Sequence, residues 1–179
     1  MKGCKPMNER ITTSVVIYGQ IDSSDAKKWL EFYNYMVRFA NSINLAPNYM
    51  GVSGESFKSS KISTLKKVEK KLYTSLAENE GISSVSIYNL PADFEIAAFD
   101  YNLYICRTSR LKHSQILVTL PSDVFEKIDY MKLIEDLKNY IDFEDGKIFK
   151  LSNLESPPIY ASEATDSSKF KTLEIIYEF

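Results

Sequence analysis

Histidine, cysteine and glycine are scarce in this chain: 179 residues hold 1 His, 2 Cys and 6 Gly. A single histidine excludes zinc centres and relays built on several imidazoles, which need two or more at set spacings. His113 sits in the polar run Arg110-Leu111-Lys112-His113-Ser114, where a solvated loop position is expected. Two cysteines, Cys4 and Cys106, are too few and too far apart for a disulfide framework. Cys106 lies in an apolar-aromatic run and reads as a small hydrophobe with no base beside it to activate a thiolate. Among the few glycines, Gly51-Val52-Ser53-Gly54-Glu55-Ser56 lacks the Lys-Ser/Thr pair of a phosphate loop and the spacing of a nucleophile elbow, so it is read as a turn.

No stretch approaches the roughly 18 consecutive apolar residues of a membrane span. After Lys2 and Lys5 the opening meets Asn8, Glu9 and Arg10 rather than a signal-like apolar core. Reduced thiols and a cytoplasmic location are therefore expected. The net charge of -2 leaves no global basic field to gather nucleic acid. What the chain has instead is aromatic mass: 13% of it, including 12 Tyr and 10 Phe, beside 44% hydrophobic and 26% charged residues, an ordinary globular balance. Its length fits a single domain over 1–179, with residues 1–10 expected to be flexible.

Periodicity supplies the elements. Ile11 to Ile21 is β-branched and aromatic, a strand. Asp22-Ser23-Ser24-Asp25 can cap a helix whose Trp29, Phe32, Tyr33, Met36, Val37, Ala40 and Ile43 recur at three- and four-residue steps. Tyr49 to Gly54 reads as short and extended. Ser63 can cap a second helix with the stripe Leu65, Val68, Leu72 and Leu76, stopped at Gly81. Segments 84–90, 96–107 and 114–120 read as an antiparallel meander. Asp129 can cap a third helix, and 147–151 and 171–179 read as strands. Residues 152–169, rich in Ser, Pro and acids, are expected to be a long surface loop. The order predicts an α+β fold: a mostly antiparallel sheet with about three helices packed on it.

Two charge patterns stand out. From Lys58 to Leu72 six lysines (Lys58, Lys61, Lys66, Lys67, Lys70, Lys71) face one acid, Glu69. From Pro121 onward 13 acids face seven lysines. Asp142-Phe143-Glu144-Asp145-Gly146 concentrates three of those acids, but not in a calcium-loop pattern, so a solvated corner rather than a metal site is expected there.

The layout, with Tyr18-Gly19-Gln20, Trp29, Gly51-Val52-Ser53-Gly54 and Leu90-Pro91-Ala92-Asp93-Phe94 as its landmarks, resembles the small immunity proteins that bacteria pair with polymorphic or contact-dependent toxins. The resemblance implies a stoichiometric inhibitor rather than an enzyme, with no cofactor and no metal, whose partner is a cognate protein toxin. No membrane, nucleic-acid or small-molecule partner is expected on this reading. Acids and tyrosines on loops would then meet a basic toxin cleft, with Asp142, Glu144, Asp145, Glu155 and Tyr160 as the candidate partner-binding residues. The alternative is a nucleic-acid-binding or regulatory module using the Lys58–Lys71 stripe. An enzyme with paired carboxylates ranks last.

Overall fold

The computed structural model describes residues 8–59, 61–110 and 112–179. In chain order the elements are β1 (Ile11–Gln20), α1 (Ala26–Ser42), β2 (Tyr49–Gly54), β3 (Ser63–Thr64), α2 (Leu65–Ala77), β4 (Ile82–Asn89), α3 (Ala97–Asp100) and β5 (Leu103–Thr108). There follow β6 (Ser114–Pro121), α4 (Ser122–Phe125), α5 (Tyr130–Leu137), β7 (Asp142–Ser152), α6 (Pro157–Ala161) and β8 (Glu174–Glu178). The strands form one eight-stranded sheet in the order β3-β2-β4-β5-β6-β1-β7-β8. Every pairing in it is antiparallel.

β1 lies in the interior of this sheet, between β6 and β7, and Thr12 to Gly19 are all buried. That explains its near-continuous apolar run: Val15 and Ile17 enter one core cluster, Val16 and Tyr18 a second on the opposite face. The larger cluster joins Trp29, Phe32 and Met36 of α1, Leu72 and Leu76 of α2, and Leu133, Ile134 and Leu137 of α5 to the sheet. Asp25 caps α1, its carboxylate accepting from the Lys28 amide at 2.9 Å, and Asp129 caps α5 through the Lys132 amide at 3.0 Å.

The three long helices therefore fall where periodicity placed them, on one face, but the described chain holds six α-helices and eight strands, more than expected. Residues 96–107 are not one strand. Asp100 accepts from the amides of Glu95 and Ile96, both at 2.8 Å, closing a turn around α3, and β5 starts only at Leu103. Nor are residues 152–169 one surface loop: only the stretch 162–169 runs as a connection, exposed from Glu163 to Lys169. Pro157 and Pro158 occupy the first positions of α6, where proline starts a helix rather than breaking it, and Pro157, Tyr160 and Ala161 are buried over the second sheet face. The expected stop at Gly81 is also displaced: α2 ends at Ala77 with Glu78 as its C-cap, and Asn79 takes the left-handed position at φ 55°. Ser63 belongs to β3, and the N-cap of α2 is Thr64, with no side-chain hydrogen bond.

Of the segment expected to be flexible, 1–7 lies outside the described residues. Arg10 is tied down, its amide donating to Asn153 Oδ1 at 2.9 Å and its Nη1 to Asn102 Oδ1 at 3.1 Å.

Candidate functional site

Asp142, Glu144 and Asp145 do not form a turn. They open β7, and the β1–β7 ladder shifts register beside them: Tyr18 pairs with Asp145, Gly19 with Phe143 and Gln20 with Asp142. Glu144 is thus the extra residue of a bulge, a device that turns side chains away from the regular alternation. All three carboxylates are exposed. Glu144 accepts from Gln20 Nε2 at 2.9 Å. Phe143, between them, turns inward and stacks on Phe179 at 6.0 Å. The Gly146 and Phe179 backbones exchange hydrogen bonds of 2.8 and 3.0 Å, so the start of β7 is held by β1 on one side and the last residue on the other.

Glu155 and Tyr160 are placed differently. Glu155 lies past the far end of the eleven-residue β7, roughly 30 Å along the strand from Asp142 at about 3.3 Å per residue. Its carboxylate accepts from the Lys171 and Thr172 amides, at 2.5 and 2.8 Å, and from the Thr172 hydroxyl. Desolvation pushes its pKa up, but those hydrogen bonds outweigh it and hold the carboxyl below the usual range. Tyr160 is 7% exposed, packed edge-on against Phe149 at 4.6 Å and Phe170 at 5.3 Å. The expectation of an exposed tyrosine anchor on a loop is corrected: this ring is core, because α6 folds back over β7. Beside it Lys147, with its ammonium 5.1 Å from the Tyr160 ring, pairs with Glu163 at 3.1 Å. His113 is exposed as expected, its Nε2 3.8 Å from Glu163 Oε2.

A second surface escaped the sequence reading. Where α6 stops, the same sheet face opens into a groove of about 500 Å³ floored by Ser53, Ser84, Ser86, Cys106, Thr108 and Gln115. The pairing explains it: Ser86 faces Cys106, Ser84 faces Thr108, and Thr108 faces Gln115, so small polar side chains line up across four strands. Arg110 reaches across the groove to Ser53 Oγ at 2.8 Å. Burial pushes the Cys106 thiol pKa up, away from thiolate chemistry. The available signal was the alternation Ser84-x-Ser86-x-Tyr88 against Tyr104-x-Cys106-x-Thr108.

On α2, Lys66, Lys67, Lys70 and Lys71 are all exposed, and the Lys71 ammonium rests 4.6 Å from the centre of the Phe57 ring. Among the described residues no group of three or more His, Cys, Asp or Glu is placed to hold a metal ion. Among the same residues no helix is long and apolar enough to cross a membrane.

No family model matches this chain, and no curated protein matches it. Among solved structures it is similar to a Pseudomonas aeruginosa T6SS protein, PA0821, with a TM-score of 0.52 and 10% sequence identity over 87% of this chain. The chain spans 44% of that protein's chain. At this identity the likeness is one of fold.

Proposed function

We propose that this protein acts in bacterial competition as an immunity protein, binding a cognate toxin domain one-to-one and occluding its active site. The observation that supports the reading most is the bulged opening of β7. There Asp142, Glu144 and Asp145 stand exposed on backbone held from both sides. Such fixed acids suit a basic cleft of the kind that handles phosphate-bearing substrates, because complementary charge steers encounter and fixes register. The fold shared with a T6SS protein is consistent with this setting. The lysine face of α2 is the place to which the alternative, a nucleic-acid-binding module, would assign its contacts.

The test is to purify the protein with the toxin domain encoded beside it and titrate one against the other, measuring heat and residual toxin activity. A 1:1 complex that abolishes toxin activity is expected. Its association rate should fall with salt, and the triple variant Asp142→Lys, Glu144→Lys, Asp145→Lys should bind at least about tenfold more weakly. Absence of a complex would overturn the function. Undiminished affinity of the triple variant would overturn the surface.

A further inference from the structure

Arginine is almost never fully buried unless its charge is paired. Arg107 of β5 is 2% exposed, with its guanidinium 4.0 Å from the centre of the Trp29 ring and 5.8 Å from that of Phe32. Its Nε donates to the Tyr140 carbonyl at 2.9 Å, while its buried Nη1 has no hydrogen-bond partner. Burial lowers its pKa to about 10, opposed by the nearby charges of Asp25 and Asp22, so the group stays cationic at neutral pH.

Neither acid closes an ion pair with it, because both are engaged by backbone. Asp25 caps α1, and Asp22 accepts from the Ser24 amide at 2.8 Å and the Ser24 hydroxyl at 2.6 Å. Arg107 lines a pocket of about 180 Å³ together with Lys28, Lys138, Asp22, Asp25 and Asp142. That is roughly ten times the space a single water requires, and enough for a carboxylate and the carbon bearing it.

We infer that this pocket is a carboxylate socket, which receives an Asp or Glu side chain from the protein partner. The carboxylate oxygens accept from the free N–H groups of Arg107, a donor fork whose planar geometry matches two oxygens at once. Lys28 and Lys138 share the lining, the Lys138 ammonium held by Glu135 at 2.8 Å. Asp22 and Asp142 are also on the lining and exposed, and they repel anions that arrive unaccompanied. A lone carboxylate therefore binds weakly, and basic residues around it that satisfy that rim tighten it, so the socket favours an acidic side chain set in a basic surface. Asp142 belongs both to this lining and to the acidic opening of β7, which makes the two parts of one face.

The inference rests on the proposed function for its partner, but its test does not need the partner. In the isolated protein, the Arg107 Nε–H resonance is followed while sodium acetate replaces sodium chloride at constant ionic strength. A saturable shift is expected. Lys28→Gln should weaken acetate binding about threefold or more, and Asp22→Asn, which still accepts from Ser24, should strengthen it by a similar factor. Arg107→Lys, lacking the fork, should abolish the shift of its neighbours; if that variant does not fold, the two rim variants still decide. Acetate indistinguishable from chloride, or rim variants without opposite effects, would overturn the socket and leave the immunity reading standing. A protein that binds acetate as described yet forms no complex with the neighbouring toxin domain would keep the socket and remove the immunity reading.

Discussion

Gly19 is where the fold and the proposed surface depend on one missing atom. A Cβ built there would lie 1.9 Å from the Asp142 carbonyl oxygen, 2.8 Å from its carbon and 3.1 Å from Ile141 Cγ1. Reaching an ordinary 3.4 Å contact requires β1 and β7 to part by about 1.5 Å at that step. β1 cannot simply retreat, because Gly19 also pairs with Ser114 of β6. For Gly19→Ala, overpacking costs about 1–3 kcal/mol. Weakening one or two ladder hydrogen bonds adds about 1 kcal/mol each. The stiffer unfolded chain returns less than about 1 kcal/mol. A net loss of about 3 kcal/mol follows, or roughly 6–12 °C in Tm for a domain of this size. Urea and thermal melts by circular dichroism measure it, with the exposed Lys127→Ala variant as control, and amide shifts at 142–145 report the parting of the strands. Because the same step carries the acids of the β7 bulge, the proposed toxin binding should weaken along with stability. A Gly19→Ala protein within about 0.5 kcal/mol of the parent, with unmoved amides, would refute the close approach and the rigidity argued from it.

Three further expectations concern the supports of the same sheet. Tyr18→Phe removes a buried hydroxyl that donates to the Ala161 carbonyl at 2.6 Å, and should cost about 1–2 kcal/mol and speed hydrogen exchange in α6; unchanged exchange there would deny the tyrosine its anchoring role. Glu155 has a folded pKa below its unfolded one, so its ionised form adds stability that is present above the unfolded value of about 4.3 and lost as pH falls through the folded value. The stability gap between the parent and Glu155→Gln should therefore shrink as pH is lowered from about 5 to about 3 in urea melts, and a gap that stays constant would contradict the hydrogen-bonded carboxylate. Asp129→Ala deletes the cap of the eight-residue α5 and should lower stability by about 1 kcal/mol, read as a loss of about 2–4 °C in Tm; no loss would mean the cap is idle.

The long helices were legible because each carries a clean stripe and, for α1 and α5, a carboxylate at the cap. β1 was legible for the opposite reason: burial on both faces leaves an unbroken β-branched run. What misled was local chemistry that competes with periodicity. The alternation through 96–107 looked like one strand, yet Asp100 reaches back to two amides and makes the first part helical. Pro157-Pro158 looked like a breaker, yet proline at the first turn of a helix loses no hydrogen bond that a helix could have made. In both places a side chain or a missing N–H decided the backbone over a span of four or five residues, too short for periodicity to register.

The surface was legible only as charge. Composition marked the acids at 142–145, but their presentation comes from a register shift between two strands more than a hundred residues apart, and no local pattern encodes it. Tyr160 was read as an exposed loop residue through the same non-locality: its burial depends on Phe149 and Phe170 closing around it. Arg107 is the sharper case. Inside the run Tyr104-Ile105-Cys106-Arg107 it reads as an incidental polar residue, and only the fold brings Trp29 beneath it while Asp22 and Asp25 are drawn off to cap a turn and a helix. The nearest acids act on this buried charge from a distance while they serve the backbone, which leaves its Nη1 without a direct counter-ion. On the proposed function, the physically economical source of such a carboxylate is the partner.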